Sequence, residues 1–330
     1  MAPTPSTFQA YVFENYGDPL QEIKLRTNFP QSALRATDVR IKVHAAALNP
    51  IDYKVVDHGA KYLPTGPSAE TPFRLGHDVA GTIAQVGANV KTFQVGDAVY
   101  AKTYFGSLGT FAEYIDLDTK FVALKPQSLT FNQAAGVPLA SQTSYQALVN
   151  YGSIKEGDRV LILGGSSGTG AFAIQIAKAL GASFVAATTS ERNGELVKSF
   201  GADRIIDYTS EKWADILDAH SIDIIYDCGA EPDAWNGDAQ RVLKRDTGKF
   251  VTILTTENPI ESPIGAAFFK MMTNSASVDL PAITRLIDAG KIFTPIDSVH
   301  RFENLLDAIK VQMSNRARGK VILEVLPGQK

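Results

Sequence analysis

Residues 161–182 read LILGGSSGTGAFAIQIAKALGA, and this stretch decides the fold. A wholly apolar run passes into four glycines and two serines, and an alanine-rich helical pattern follows. Glycine has no Cβ, so the backbone can turn tightly here and approach a phosphate closely. The amino end of the helix adds unpaired N–H groups and a partial positive charge. The stretch therefore predicts a strand, a phosphate-binding turn and a helix.

The turn has the spacing G-x-x-G-x-G rather than the commonest dinucleotide-binding spacing, G-x-G-x-x-G. It nevertheless lies between a strand and a helix, which is the context that a pyrophosphate site requires. The alternative is a glycine-rich connection that holds no ligand. We expect the cofactor to be bound by the turn itself, at Gly165, Ser166, Ser167, Gly168, Thr169 and Gly170.

Strand-like runs alternate with helical segments around and after this turn. The runs RVLILGG, SFVAATT, DRIIDY, DIIYDCG and KFVTIL are short and apolar, as expected for strands buried on both faces of a parallel sheet. The helical segments GTGAFAIQIAKALGA and ERNGELVKSFGA both end in Gly-Ala, which indicates a glycine that stops each helix. The alternation predicts an α/β fold with a doubly wound parallel sheet, placed at residues 127–266.

The rest of the chain predicts a β-rich domain. From Ala10 to about Lys125, runs such as DVRIKVHAAAL and DVAGTIAQVG are short, apolar or alternating, and separated by Gly, Pro and Asp. Residues 267–330 hold two helical patterns and a closing strand, RGKVILEVL. We interpret residues 1–126 as the first part of this domain and residues 267–330 as a return segment that completes it.

The composition excludes several classes of partner. The 32 Lys and Arg residues against 35 Asp and Glu give a formal net charge of -3, so nucleic acid and anionic membranes are not expected partners. The first residues, MAPTPSTFQA, lack the basic start and apolar stretch of a secretion signal. No run approaches the length of a membrane span, and the single cysteine, Cys228, excludes an intrachain disulfide. We expect a cytoplasmic protein.

The choice of cofactor should be visible at the end of the strand after the turn, because the adenosine ribose lies there. This strand ends in AATTSERNGE, with Thr188, Thr189 and Ser190 at the expected contact positions and Arg192 nearby. Hydroxyls beside a guanidinium suit a 2′-phosphate, so the cofactor is predicted to be NADPH. Two alternatives stay open: Glu191 binds a ribose, or Ser190 and Arg192 are only a helix cap and a solvated charge.

A series of motifs covers nearly the whole chain. In order they are AALNPIDYKVVDHG, LGHDVAGTIAQVGANVKTFQVGDAVYA, GTFAEYI, GVPLASQTSYQAL, the glycine turn, KSFGADRIIDY and ARGKVIL. This series resembles the medium-chain dehydrogenase/reductase superfamily, and within it the zinc-free quinone oxidoreductase branch of zeta-crystallin-like proteins and alkenal reductases. The resemblance implies a GroES-like catalytic domain formed by both ends of the chain, a Rossmann domain between them, and a homodimer.

The resemblance also implies cofactor contacts outside the glycine turn. Thr143 in ASQTSYQAL would lie near the nicotinamide or the pyrophosphate, although its hydroxyl could instead start a helix. The backbone at Leu254 in VTILTT would run past the nicotinamide carboxamide, as the equivalent loop does in relatives.

By the same resemblance, the adenosine 2′-phosphate would be held by more than Ser190. Tyr208 in IIDY and an arginine near the C-terminus, Arg318 or Arg316, would assist it. The chain departs from part of the branch at Asn193, where some relatives have a lysine. This departure weakens the NADPH assignment without reversing it.

A metal is not expected. Zinc-dependent relatives hold the catalytic ion through a cysteine near the position of Asn49, a histidine in a G-H-E motif, and a further cysteine or acidic residue. This sequence keeps only the histidine, His77, in GHD, and a tetrahedral catalytic site needs three protein ligands. His77 and Asp78 are then a hydrogen-bonded pair in a turn, or His77 contacts the substrate.

Without a metal to polarise a ketone, the easier substrate is a quinone or an enone, which accepts hydride directly. The segment LNPIDYK offers Asn49, Asp52, Tyr53 and Lys54 as candidate catalytic residues, with Tyr53 or Lys54 donating to the developing oxyanion. The alternative is that Asp52 caps a short helix, Tyr53 packs, and Lys54 is a solvated or cofactor-positioning cation.

Three functions are compatible with these patterns. The first is an NADPH-dependent reductase of quinones or α,β-unsaturated carbonyls. The second is a 2-enoyl thioester reductase, which would need a wide basic groove for the pantetheine arm. The third is an NADPH-binding sensor or structural protein without turnover, because a fold and a bound cofactor do not establish chemistry.

Overall fold

The structure is a computed structural model of the 330-residue chain, and it describes residues 4–59, 65–104, 109–254 and 256–326. The chain forms two compact units. We call them the β unit, Met1–Leu139 with Ser275–Asp288 and Thr294–Lys330, and the parallel-sheet unit, Ala140–Asn274 with Ala289–Phe293. Residues 127–139 thus group with the first residues of the chain. The domain boundaries after residues 126 and 266 stay a prediction.

The described residues contain sixteen strands: β1 (Thr7–Phe13), β2 (Lys24–Pro30), β3 (Asp38–Leu48), β4 (Phe73–Arg74), β5 (Asp78–Val86), β6 (Ala98–Lys102), β7 (Tyr114–Asp118), β8 (Val122–Leu124), β9 (Arg159–Leu163), β10 (Phe184–Thr189), β11 (Arg204–Asp207), β12 (Ile224–Asp227), β13 (Lys249–Thr252), β14 (Ala267–Lys270), β15 (Ile296–Arg301) and β16 (Lys320–Glu324). They also contain ten α-helices: α1 (Pro19–Glu22), α2 (Pro50–His58), α3 (Phe131–Ala135), α4 (Pro138–Tyr145), α5 (Gly168–Ala179), α6 (Gly194–Ser199), α7 (Trp213–Ile216), α8 (Ala239–Val242), α9 (Leu280–Asp288) and α10 (Leu305–Met313). Among these residues, no helix has the length and apolar content needed to cross a bilayer.

The β unit is built around β3, whose sequence DVRIKVHAAAL is buried at every position except Lys42. This strand pairs antiparallel with β5, β7 and β16 in a seven-stranded sheet. Strand β16 lies in the predicted closing strand RGKVILEVL, and its Val321 lies opposite Leu48 of β3. Leu305 and Ile309 of α10 pack into the core of this sheet. The last strand of the chain therefore lies beside one of the first.

The parallel-sheet unit holds six parallel strands in the order β11-β10-β9-β12-β13-β14. Counted along this unit the order is 3-2-1-4-5-6, which is the order of the doubly wound dinucleotide-binding sheet. The predicted α/β class is therefore confirmed. Gly181 and Gly201 follow α5 and α6 with φ angles of +90° and +101°, so each helix stops at a glycine as predicted.

The burial of His44, in the middle of β3, allows a prediction of how the stability of the β unit changes as the pH is lowered. Its ring packs against Phe131 with centroids 4.0 Å apart, Nε2 lies 3.1 Å from Thr82 Oγ1, and Nδ1 is buried without a partner in the described residues. Burial, reinforced by the charge of Lys42, lowers the pKa of His44 to about 4.

Between pH 6.5 and about 4 the unfolded chain therefore binds a proton at His44 that the folded chain does not bind. Folded stability should fall over this range by up to about 1.4 kcal/mol per pH unit as the pH is lowered. Urea unfolding at several pH values, compared with His44→Gln, measures this slope. The variant should show a shallower fall, and parallel curves would contradict the assignment to His44.

Candidate functional site

The glycine turn follows β9 and leads into α5, and the structure shows why it contains glycine. Gly164 has a φ of +87°, and a Cβ on it would lie 2.6 Å from the Cα of Gly229. The Gly164 N–H donates to Thr188 Oγ1 at 2.9 Å, and Ser167 caps α5 by accepting from the Gly170 N–H at 2.9 Å. The turn is thus closed by hydrogen bonds to its own serine and to the next strand.

This closure leaves groups that a ligand can use. The N–H groups of Gly168 and Thr169, the first two residues of α5, have no acceptor within the helix and lie at its positive end, whereas Ser167 accepts from the Gly170 N–H. Thr189, at the end of β10, is 1% exposed, and its Oγ1 has no hydrogen-bond partner among the described residues. A buried hydroxyl without a partner beside free main-chain donors fits a bound nucleotide diphosphate.

Asn193 joins the turn to the end of β10. Its Nδ2 donates to Ser166 Oγ at 3.3 Å and lies 3.5 Å from Ser190 Oγ, while its Oδ1 is buried and has no partner in the described part of the chain. Asn193 therefore holds two of the predicted cofactor residues, Ser166 and Ser190, together. The sequence alone indicated Asn193 only as a departure.

The predicted 2′-phosphate residues differ in exposure. Arg192 is exposed, and its guanidinium group makes no hydrogen bond or ion pair in the described residues, so its charge is available. Tyr208 donates its N–H to the carbonyl of Thr189 at 3.2 Å, and its side chain is 60% exposed. Arg318 is an exposed residue of the β unit, with its N–H bonded to Asp297 at 2.7 Å.

The other predicted cofactor positions lie at hydrogen-bonded sites. Thr143 Oγ1 lies 2.7 Å from Thr273 Oγ1, and the Leu254 N–H donates to Thr252 Oγ1 at 3.0 Å. Thr252 in turn lies 3.3 Å from Asp227, a buried carboxylate at the end of β12 that sequence reasoning did not select. Burial raises the pKa of Asp227, against hydrogen bonds from main-chain N–H groups and Thr252 that lower it. The available signal was an aspartate that ends the apolar run DIIYD.

In the β unit, the predicted catalytic segment starts α2. Asn49 precedes the helix, and its N–H donates to Asp52 Oδ2 at 2.7 Å. The other oxygen of Asp52, Oδ1, lies 2.6 Å from His77 Nδ1. Asp52 is fully buried, so both of its oxygens are used inside the protein. The alternative in which Asp52 caps a short helix is therefore what the structure shows, together with a histidine partner.

Two further residues, Asp78 and Lys320, complete a largely buried polar group, the Asn49 cluster, formed by Asn49, Asp52, His77, Asp78 and Lys320. Asn49 Nδ2 donates to Asp78 Oδ2 at 2.9 Å, and the Leu139 N–H donates to Asp78 Oδ1 at 2.8 Å. Lys320 Nζ donates to the carbonyl of Leu48 at 3.0 Å and also to Asn49 Oδ1. Burial raises the pKa of Asp78, and the Lys320 ammonium opposes this rise.

Tyr53 and Lys54 directly follow Asp52 along α2 and lie outside the cluster. Tyr53 is half-buried and packs against the hydrophobic core, and burial followed by the charge of Asp57 raises the pKa of its hydroxyl. Lys54 is exposed. The four predicted catalytic residues thus divide into two buried, hydrogen-bonded residues and two that are more accessible. Their roles stay a prediction.

The Asn49 cluster does not fit a tetrahedral zinc ion. Within the ranges that the structure describes, no three His, Cys, Asp or Glu side chains meet in a way that could hold a metal. Asn49 offers a carboxamide whose oxygen already accepts from Lys320, and an ammonium beside it repels a cation. Cys228 lies in the parallel-sheet unit, where its thiol donates to the carbonyl of Leu163 at 3.2 Å.

Comparisons with known proteins agree with this architecture. Residues 35–127 match the family described as alcohol dehydrogenase GroES-like domain, and residues 200–323 match the family described as zinc-binding dehydrogenase. The first match confirms the GroES-like part of the predicted fold. The second match is to a family described as zinc-binding, but the side chains of the Asn49 cluster do not form a zinc site.

Individual relatives cover nearly the whole chain. It is 36% identical over 332 residues to a 2-methylene-furan-3-one reductase of Solanum lycopersicum, a match that spans 98% of this chain and 80% of the relative. It is 35% identical over 335 residues to an NADPH-dependent alkenal/one oxidoreductase, chloroplastic, of Arabidopsis thaliana, spanning 99% and 82%. The solved quinone oxidoreductase from Coxiella burnetii has a TM-score of 0.85 at 29% identity, spanning 96% and 99%. The predicted family is confirmed: the chain belongs to the medium-chain dehydrogenase/reductase superfamily, in the branch of the quinone and alkenal oxidoreductases.

Proposed function

We propose that the protein is an NADPH-dependent oxidoreductase that transfers hydride to quinones or α,β-unsaturated carbonyls without a metal. One observation carries the proposal: the turn before α5 offers main-chain donors, and the neighbouring strand β10 ends in Thr189, whose buried hydroxyl has no partner among the described residues. The relative from Arabidopsis thaliana, which is named for NADPH and for alkenals, supports both the cofactor and the substrate class.

When NADPH is bound at the turn, its nicotinamide would supply the hydride for an electron-poor carbon of the substrate. Main-chain N–H groups of the turn hold the diphosphate, and Ser190 with Arg192 holds the 2′-phosphate. The Tyr53 hydroxyl or the Lys54 ammonium donates a hydrogen bond to the substrate oxygen, where negative charge develops, and water completes protonation. Asn49 and Asp52 hold the first turn of α2, which carries both donors.

A small substrate panel tests the function. Purified protein is mixed with NADPH and, separately, a 1,4-quinone, a short 2-alkenal and a crotonyl thioester, and absorbance of the reduced cofactor is followed. Oxidation with the quinone or the alkenal supports the proposal. Preference for the thioester would instead identify a 2-enoyl thioester reductase, and tight NADPH binding without any turnover would identify a sensor or structural protein.

Arg192 tests the cofactor preference. We expect Arg192→Ala to raise the KM for NADPH about tenfold, close to the loss of one charge-assisted hydrogen bond, and to leave the KM for NADH unchanged. Steady-state kinetics with both cofactors measure the effect. Arg245→Ala, at another exposed arginine of the same unit, is the matched control. If Arg192→Ala keeps the wild-type preference for NADPH, Arg192 does not bind the 2′-phosphate and is only a solvated charge.

The assembly, metal content and location belong to the same proposal. A homodimer is supported by the edge strand β14, which pairs only with β13 among the described strands, and by Met272, which follows it and is 80% exposed. Light scattering after gel filtration measures the mass, and elemental analysis of active protein measures zinc. Cell fractionation tests the cytoplasmic location, since the relative from Arabidopsis thaliana is named as chloroplastic.

A further inference from the structure

Lys320 is a buried cation at the centre of the Asn49 cluster. It is the first residue of β16 and is only 4% exposed. Its Nζ donates to the carbonyl of Leu48 and to Asn49 Oδ1, and it lies 3.5 Å from Asp78 Oδ2. These three acceptors match the three N–H bonds of an ammonium. Burial lowers the pKa of Lys320, and the carboxylates of Asp78 and Asp52 oppose this fall.

The charges around Lys320 are balanced. Asp52 and Asp78 are both fully buried carboxylates, and Lys102, which lies opposite Asp78 on β6, is a buried cation as well. Lys102 donates to Ser275 Oγ at 2.8 Å, whereas Lys320 is the lysine that contacts Asn49. Buried charges persist only when they are paired and hydrogen-bonded, so removal of one cation leaves a carboxylate without compensation.

Asn49 connects this charge pair to α2. Its Oδ1 accepts from Lys320, its Nδ2 donates to Asp78, and its main-chain N–H donates to Asp52. Both polar atoms of the Asn49 side chain therefore contact the Lys320 and Asp78 pair, and Nδ2 also lies 3.4 Å from the carbonyl oxygen of Ala47. The orientation of the first turn of α2 depends on this arrangement.

We propose that Lys320 is a positioning residue whose ammonium compensates Asp78 and orients Asn49, so that the first turn of α2 holds Asp52 and Tyr53 for the reaction. The internal cation does in this chain what a bound metal ion does elsewhere, since it fixes polar side chains around one positive charge. The inference rests on the proposed function in one respect, namely that this turn of α2 serves hydride transfer.

The test compares the single variant Lys320→Met with a double variant that carries both Asp78→Asn and Lys320→Met. The double variant loses one positive and one negative charge, so its charge stays balanced. A displacement of catalytic groups of the order of 1 Å can cost up to about 100-fold in rate, and we expect about a 20-fold fall in kcat for Lys320→Met. The Kd for NADPH, measured by fluorescence titration, should be unchanged, because the cofactor turn belongs to the other unit.

The double variant should recover at least about fivefold in kcat over Lys320→Met, because it removes the uncompensated charge, and the new amide can donate to Asn49 in place of the ammonium. If Lys320 only filled space, the opposite result would be expected, and the double variant would have a lower kcat than the single variant. Lys310→Met removes an exposed lysine of α10 that pairs with Asp307 and should behave as wild type.

Two results would overturn the inference while wild-type turnover confirms the proposed function. One is a kcat for folded Lys320→Met within about twofold of wild type, and the other is a double variant no more active than the single variant. If Lys320→Met does not fold, Asp78→Asn serves as the single variant. The kcat of the double variant should then exceed the kcat of Asp78→Asn. Absence of wild-type turnover on the whole panel would defeat the proposed function itself, and the positioning role with it.

Discussion

Gly170→Ala should lower the affinity for NADPH by about 100-fold, or about 2.7 kcal/mol in binding free energy. A Cβ at this position would lie 2.2 Å from the carbonyl oxygen of Gly164 and 2.9 Å from its carbon, and both are backbone atoms of the same turn. The turn cannot keep its shape around the added methyl group, so the donors at the start of α5 move away from the diphosphate. Isothermal titration with NADPH measures the loss.

Gly237→Ala provides the matched control, because a Cβ there would meet nothing closer than the carbonyl oxygen of Asp233 at 3.7 Å. Both variants should unfold cooperatively, and only Gly170→Ala should have a lower affinity for NADPH. If Gly170→Ala binds NADPH as tightly as Gly237→Ala does, the diphosphate is not held at this turn, and the proposed cofactor site is wrong.

Asp52→Ala should lower kcat about 100-fold, because it releases the first turn of α2, and a displacement of catalytic groups of the order of 1 Å can cost that much in rate. The substitution leaves the buried N–H of Asn49 without an acceptor and removes the partner of His77 Nδ1. An unsatisfied buried donor costs about 2 kcal/mol, so the free energy of unfolding should fall by a similar amount. Steady-state kinetics and urea unfolding measure the two effects, and the Kd for NADPH should not change.

Asp57→Ala lies in the same helix and removes the same number of atoms from an exposed carboxylate that faces His58. It should leave both kcat and the free energy of unfolding close to wild type. Asp52→Asn separates the two roles of Asp52, since it keeps an oxygen for the Asn49 N–H and removes the charge beside His77. An Asp52→Ala enzyme with full kcat would show that the start of α2 takes no part in turnover.

Local sequence patterns were sufficient for the architecture of the parallel-sheet unit. The run from Leu161 to Leu163 is apolar because both faces of a parallel strand are covered, and Gly181 is a glycine because a left-handed φ ends α5. Such constraints act between residues that are close along the chain. A single sequence therefore reveals them without knowledge of any distant contact.

The roles of individual hydroxyls could not be predicted in this way. Thr188, Thr189 and Ser190 are adjacent and chemically similar, yet Thr188 closes the turn through Gly164 whereas the hydroxyl of Thr189 is left without a partner in the described residues. Alternation along a strand sends neighbouring side chains to opposite faces, and the register against the turn decides which one meets it.

The amino-acid sequence by itself determined the strand, turn and helix at Leu161–Ala182, the parallel sheet around them and the family, because short-range periodicity and glycine positions encode these features. Only the tertiary structure decided that Lys320 lies beside Asp78, from which 242 positions separate it along the chain. That contact exists because β16 pairs with β3 and so carries the lysine to the start of α2. Pairing between distant strands depends on the folding of the whole unit, and no local pattern around residue 320 records it.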